Sequence, residues 1–410
     1  MPAPSATAPY DIAVVGAGPS GLTAGLLFAS YGFSTVIIAP KVNLSDGRTT
    51  ALLQASVDLL TQIGVWDRLV LKAAPLAKMR MVDDTGRLVR APEVTFDSLE
   101  LDLPAFGYNL LNKDLNLILE KAALEQDNLT FLNQSAANYD AKDEATTITM
   151  GDGSTCQARL VVAADGRKSL AREAAGIDVK RWSYPQMAVV LNLNHDQPHR
   201  DTSTEFHTPT GPFTLVPLPG RTSSLVCVVT HEEAERLKDM GKAELALEFE
   251  QRAHSILGKF ELNSEPQMFP LSGMIARALV GQRVALIGEA AHVFPPIGAQ
   301  GLNLGLRDVA GLGKVLKAAK DKNNDIGSAE VLGAYEKERR TDITTRTVAV
   351  DALNRSLLTD FLPVQIARSA GIYFADKIPP LRRVLMREGI APGTRSKRKS
   401  LLSRVTRRLG

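Results

Sequence analysis

Cysteine is scarce: Cys156 and Cys227 are the only two in 410 residues. Two cannot build a disulfide framework, and neither stands in a CxxC metal or redox spacing. Aromatic residues make up 5% of the chain, too few for a base-stacking surface. The formal net charge of +3 creates no global field for nucleic acid. No uninterrupted apolar run approaches the roughly 18 residues that a bilayer span requires. The opening nine residues lack the basic and apolar regions of a secretory signal. These absences lead us to expect a cytoplasmic protein of a reducing compartment. What is present suits a globular chain, with 44% hydrophobic and 23% charged residues. The length allows roughly two or three units with substantial cores.

The order of elements points to an α/β fold. Residues 12–15 and 35–38 are short apolar runs that read as buried strands. The helix expected between them, over 22–31, is closed by Gly32. This βαβ start implies a parallel sheet. A helix is expected over 46–60, a hairpin over 79–94 with Asp84-Thr85-Gly86 at its turn, a helix over 113–124, and strands at 146–150 and 160–164. From about residue 177 the texture changes to short strand-like runs divided by Gly, Pro and polar turns, the mark of a mostly antiparallel unit. The parallel-strand pattern returns at 284–287, followed by a long helix over 301–319. We therefore expect a Rossmann-like domain built discontinuously from 1–75, 108–177 and 276–350. A β-rich substrate domain would occupy 76–107 and 178–275, and a helical basic region 351–410.

Gly16-Ala17-Gly18-Pro19-Ser20-Gly21 is a GxGxxG hexad between a strand and a helix. Gly16 permits the tight turn, Gly18 lets backbone approach a pyrophosphate, and Gly21 allows close helix–strand packing. Unpaired N–H groups at the helix start, Ser20 among them, suit phosphate oxygens. The bland alternative is a glycine-rich turn without a ligand. The acid that normally holds a ribose at the end of the second strand is missing, and Ala39-Pro40-Lys41 stand there.

Two later segments extend the pattern. Asp165-Gly166 ends the strand over 160–164; the carboxylate could accept hydrogen bonds from a cofactor and the glycine would clear space, although such a pair is also a common strand-ending turn. Gly288-Glu289-Ala290-Ala291-His292 follows the strand over 284–287. A Pro- and Gly-rich loop containing Pro295 and Pro296 then leads through Gln300 and Gly301 into the helix bearing Asn303. A helix N-terminus aimed at a flavin would stabilise negative charge on the reduced ring. A dinucleotide domain for NAD has no need of this third segment, so the three together favour FAD.

On these residues the chain resembles the group A FAD-dependent aromatic monooxygenases, with the p-hydroxybenzoate-hydroxylase-like fold. Within them it is most similar to the ubiquinone-biosynthesis ring hydroxylases. The resemblance runs from about residue 11 to 355. Asp46-Gly47-Arg48-Thr49-Thr50-Ala51-Leu52 matches a subfamily segment, which implies that Arg48 lies against the FAD. Two departures stand out: Glu289 replaces an aspartate, and Gly298-Ala299 reverses an Ala-Gly order. The resemblance implies FAD reduction by NAD(P)H or a protein electron donor, a flavin C4a-hydroperoxide, and hydroxylation of a polyprenylated phenol. It also implies a ubiquinone-pathway protein complex as a partner. The cofactor set carried over is Gly16, Gly18, Ser20, Gly21, Arg48, Asp165, Gly166, Glu289, Pro296, Gln300, Gly301 and Asn303. No metal is called for, and no side chain emerges as a catalytic base; His292 reads more naturally as a satisfied structural histidine.

Residues 382–410 hold ten Lys and Arg against one acid, Glu388. With apolar positions upstream, such a region could rest peripherally on an anionic membrane surface; a solvated tail is the plainer reading. Three alternatives to the hydroxylase remain open at this level. One is a hydroxylase of a soluble phenol. Another is a prenyl reductase or halogenase of the same fold, disfavoured because Trp66 and Trp182 form no Trp-x-Trp pair. The third is a non-enzymatic scaffold or lipid-carrier subunit with weak flavin binding, which a colourless purified protein would support.

Overall fold

The structure is a computed structural model that describes residues 9–40, 47–87, 90–295, 299–358 and 378–390. It opens with β1 (Tyr10–Val15), α1 (Pro19–Ser30) and β2 (Thr35–Ile38). Both strands are buried on both faces, which is why their sequences run apolar without alternation. Pro19 occupies the first helical position, where its missing N–H is not needed. Gly32, at φ +77°, closes the helix in the left-handed conformation that only glycine adopts freely.

The helix expected over 46–60 is not what forms. Thr49–Leu53 is a strand, β3, and the helix α2 is confined to Gln54–Gln62; Asp46 lies outside the described residues. The chain continues through α3 (Trp66–Leu69), β4 (Ala74–Pro75), β5 (Lys78–Asp83), β6 (Val94–Asp97), β7 (Gly107–Leu111) and α4 (Asn112–Leu124). The physical reason for β3 is its partner: it pairs antiparallel with β7, from Thr49 opposite Leu111 to Leu53 opposite Gly107. The expected hairpin is present as the antiparallel pair β5–β6, but Met81 faces Val94, so the connection is a long loop rather than a tight turn. Asp83 braces that loop by accepting from Thr85 and from the Ala91 amide.

Next come β8 (Leu129–Leu132), β9 (Ala136–Ala141), β10 (Thr146–Met150), β11 (Thr155–Ala163), α5 (Leu170–Ala174), β12 (Val179–His195), β13 (Thr202–Thr208), β14 (Gly211–Leu218), β15 (Thr222–Val229), α6 (His231–Asp239) and α7 (Lys242–Arg252). Then follow β16 (Phe260–Leu262), β17 (Gln267–Ala276), β18 (Val280–Gly281), β19 (Val284–Leu286), β20 (His292–Val293), α8 (Gln300–Asp321), α9 (Ala329–Leu358) and α10 (Pro379–Ile390). The helix α9 runs unbroken across residue 350, where the sequence suggested a boundary.

Two large sheets result. In the first, β19, β11, β1, β2 and β8 lie side by side and parallel, with β9, β10 and β18 added antiparallel. In the second, β20, β17, β12, β15, β14, β13, β5 and β6 follow in order; every pair is antiparallel except β13–β5. The second sheet has two distinct faces, read from the register. Val189, Leu191, Leu193, Leu225, Cys227, Phe213 and Leu215 point to one side, where they form a core with Leu237, Leu245 and Phe249 of α6 and α7. Ala188, Val190 and Asn192, opposite Val228, Val226 and Ser224, point to the other. That inner face meets the first unit: Asn192 Nδ2 donates to Gly47 O at 2.8 Å, and the Arg48 guanidinium lies 5.2 Å from the Phe269 ring centroid. Among the described residues no helix is long and apolar enough to cross a membrane.

Candidate functional site

Parallel pairing brings the C-terminal ends of three strands to one edge. The Gly16 amide donates to Ile38 O at 2.9 Å, the Ala164 amide to Val15 O at 2.8 Å, and the Ile287 amide to Ala163 O at 3.0 Å. The three glycine-bearing segments therefore emerge together, in the crevice where open α/β sheets bind ligands.

Their glycines divide by what surrounds them. Gly16 has φ +108°, and a Cβ there would come 2.3 Å from Ala164 O. A Cβ on Gly21 would come 2.0 Å from Gly16 O. These two serve backbone packing between the first and second segments. Ser20 meets the third segment instead: its Oγ is 2.7 Å from a Cβ placed on Gly305 and 3.0 Å from one placed on Gly288. Gly18, Gly166 and Gly301 have no atom within 4 Å of the Cβ position. They border open space, and Gly18 caps the twelve-residue α1. Asp165 keeps one buried carboxylate oxygen, Oδ1, without a partner, while Oδ2 accepts from the Ala171 amide. Open glycines, a helix N-terminus and an unpaired buried carboxylate oxygen are what a pyrophosphate-bridged dinucleotide requires, so the residues present fit FAD.

The remaining expected residues are distributed less uniformly. Glu289 extends from its segment to Arg167, accepting a two-pronged hydrogen bond at 3.2 Å on each oxygen. Its extra methylene relative to aspartate helps it reach across. Gln300 begins α8 and accepts from Arg346 Nη1 at 2.7 Å. Asn303 is buried and fully used by protein groups. Its Oδ1 accepts from the Leu53 amide and Ser56 Oγ, and its Nδ2 donates to Ala51 O and Ala299 O. It fastens the start of α8 to β3 and α2, and has no hydrogen-bonding capacity to spare. Pro296 and Gly298 lie outside the described residues.

Two buried ionic groups hold the segments in place. Arg172, 1% exposed, donates to Ala290 O at 2.9 Å and to Arg167 O at 3.1 Å, tying the second segment to the third. Asp308, on α8, accepts from His292 Nε2 at 2.6 Å, from the Gly288 amide at 3.1 Å and from Arg339 Nε at 2.9 Å. Burial pushes the Asp308 carboxyl up, but His292 and Arg339 outweigh it and hold the group below the usual carboxylate range. Arg339 continues to Asp342, which also receives Arg307 and Arg346. His292 thus commits Nε2 to Asp308, while its Nδ1 is buried without a partner. Arg172 and Arg339 carried no usable sequence signal, since the partners that tie the segments together, Ala290 and Asp308, lie 118 and 31 positions away.

Beside this crevice the inner face of the antiparallel sheet is incompletely covered. Val190, Thr214, Val216 and Val226 are only half-buried although they sit on central strands, and Phe269 is 37% exposed. An apolar surface left open next to a cofactor crevice is suited to an apolar ligand. An open groove of about 690 Å³ along α9, lined by Lys337, Arg340 and Thr344 among others, shares no residue with the three segments.

Fold and site together define a flavoprotein hydroxylase of the FAD-dependent monooxygenase class. The family described as FAD binding domain matches residues 9–349, and the chain belongs to it. The chain is 34% identical over 402 residues to ubiquinone hydroxylase UbiL of Rhodospirillum rubrum, covering 94% of this chain and 92% of that protein. It is 30% identical over 385 residues to 3-demethoxyubiquinol 3-hydroxylase of Escherichia coli, covering 92% and 97%. Its fold matches p-nitrophenol 4-monooxygenase PnpA of Pseudomonas putida with a TM-score of 0.77 at 20% identity, over 94% of this chain and 99% of that one.

Proposed function

We propose that the protein hydroxylates the aromatic ring of a polyprenylated ubiquinone precursor. The observation that carries this reading is the end-to-end similarity to UbiL at 34% identity, supported by the half-open apolar inner face beside the crevice. Bound FAD, reduced by NAD(P)H or a protein donor, would supply dioxygen activation and oxygen transfer. The chain's own residues would bind and orient. Gly18, Ser20 and the start of α1 would receive the pyrophosphate, Asp165 Oδ1 a hydroxyl of the cofactor, and Gly166 and Gly301 would let backbone come close. Arg48, with Glu289, Gln300 and Pro296, would complete the surround, while Gly16, Gly21 and Asn303 hold its shape. Val190, Val226 and Phe269 would keep water from the reacting ring.

The basic C-terminal region would hold the enzyme on an anionic membrane, where such a substrate resides. Its described part, α10, packs on the β6 region through Arg382, which bonds Glu100 and stacks 4.5 Å from the Phe96 centroid. Two experiments test the proposal. Deleting the gene should cause an under-hydroxylated prenylated precursor to accumulate; unchanged quinone content would refute the reading. Removing residues 391–410 should weaken binding to anionic vesicles, and unaltered binding would refute the membrane role.

A further inference from the structure

Arg167 is absent from the cofactor residues that the sequence suggests, yet it joins the second glycine-bearing segment to the third. Its Nε donates to Glu289 Oε2 and its Nη2 to Glu289 Oε1, both at 3.2 Å. Such a two-pronged hold fixes the plane of the carboxylate. The two side chains are 51% and 56% exposed, so the bridge lies at the rim of the crevice and not in its floor. A pair this exposed adds little to the stability of the fold. Its effect is to be looked for in the site that it spans.

The backbone that carries the pair is pinned from below. Arg172, 1% exposed, donates to Arg167 O at 3.1 Å and to Ala290 O, beside Glu289, at 2.9 Å. Each end of the bridge is also within two residues of the crevice lining. On one side Asp165 keeps Oδ1 without a partner and Gly166 borders open space. On the other, a Cβ on Gly288 would come 3.0 Å from Ser20 Oγ, in the first turn of α1. A long glutamate side chain left free at such a place samples many orientations, and fixing one of them in a ligand contact costs affinity. Arg167 meets that cost before the ligand arrives. Its bonds use one lone pair on each carboxylate oxygen and leave another on each, so the ligand group that Glu289 suits is a hydroxyl.

We propose that Arg167 is a positioning residue for FAD. It holds Glu289 so that the remaining lone pairs of the carboxylate receive a hydroxyl of the cofactor, and the pair stays formed when FAD is bound. Arg167 and Glu289 are in this sense one unit: the guanidinium makes a glutamate serve where the family resemblance leads one to expect an aspartate. Arg167 acts through Glu289 and has no contact of its own with the cofactor. The inference rests on the FAD-binding family to which the chain belongs, and not on the identity of the substrate.

The test dilutes the full-length, FAD-loaded protein and follows release of FAD by the gain in flavin fluorescence, which gives Kd for the wild type, R167A, R167K, E289A and the R167A/E289A double variant. R167A should bind FAD about three- to tenfold more weakly. Its melting curve with flavin removed should overlay that of the wild type, because the pair is exposed. In the E289A background, R167A should change Kd by less than about twofold, since Arg167 then has nothing to position. R167K keeps the charge but not the fork, and its Kd should stay close to that of R167A. Wild-type affinity in R167A overturns the proposal. So does an undiminished loss in the E289A background, which would make Arg167 a direct partner of the diphosphate. Wild-type affinity in R167K overturns it as well, because charge alone would then suffice. These outcomes leave the substrate reading untouched, since that is decided by the precursor that accumulates when the gene is deleted.

Discussion

Ala299 holds a backbone conformation that costs it stability, and replacing it by glycine should recover part of that cost. It is the residue before α8, at φ +53° and ψ +30°, in the left-handed region. A β-carbon there costs roughly 1–2 kcal/mol. Glycine removes that penalty but widens the unfolded ensemble by about 0.4–1 kcal/mol. The difference leaves A299G more stable by about 0.5–1 kcal/mol. The Ala-Gly order that the family resemblance leads one to expect would place its glycine at this position; here Gly298-Ala299 puts alanine there instead. A melting temperature is a poor probe in a chain this long, because unfolding entropy scales with length and the shift is only about 1 °C per kcal/mol. Guanidinium denaturation of the flavin-free protein resolves the difference better. A299V should move the other way by more than A299G gains, since a branched side chain tolerates this region worst. N323G supplies a control: Asn323 also has φ +57°, but asparagine tolerates the region, so its gain should be smaller. If A299G is no more stable than wild type while A299V matches it, the left-handed strain before α8 is not there.

The glycine hexad should separate into two roles. G16A, with φ +108° and its Cβ 2.3 Å from Ala164 O, should fail to accumulate as folded protein, whereas G18A, bordering open space, should melt like wild type without flavin but bind FAD about tenfold or more weakly by fluorescence titration. Equal FAD affinity in G18A and wild type would remove Gly18 from the phosphate site. Acid should unlock the Glu233 cluster: hydrogen bonding from Arg236 outweighs the upward push of burial and, with help from Arg252, lowers the Glu233 carboxyl to about 2. Because the folded value lies below the ordinary 4.5, this stability is present above about pH 4.5 and is lost as pH falls toward 2. The unfolding free energy of E233Q from urea titration should therefore lie about 1 kcal/mol below wild type at pH 7 and converge with it near pH 2; a constant gap would contradict the assignment.

Legibility in the sequence followed the distance between interacting residues. The parallel strands could be read directly, because burial on both faces leaves unbroken apolar runs at 12–15, 35–38 and 160–163. The hexad was legible because its requirements are local: a turn, a close backbone approach and a helix start fall within six residues. β3 was not, since Thr49–Leu53 continues into Gln54–Gln62 with apolar spacing that a helix also accepts, and only pairing with residues 107–111 settles it. For Asn303 the motif wording does not show where the side chain is used. It sits where a cofactor ligand is expected, yet all its hydrogen bonds go to Leu53, Ser56, Ala51 and Ala299.

That contrast carries a general physical consequence for this site. A polar side chain at the mouth of the crevice can serve the ligand only if its lone pairs and protons are not already taken by the protein. By that test Asp165 Oδ1 remains available and the Asn303 side chain does not, while each Glu289 oxygen keeps a lone pair beyond its bond from Arg167. The groups that fix the site, Arg172 on Ala290 and Arg339 on Asp308, are the reverse case: they are buried, and their charges are committed to partners 118 and 31 positions away. Removing one partner of the Arg339–Asp308 ion pair strands the other in low dielectric, at about 3–5 kcal/mol. A sequence read alone shows the charge but not the partner, and so cannot tell the ligand-binding carboxylate from the structural one. The Tyr184–Asp351 contact, spanning 167 positions, was invisible for the same reason.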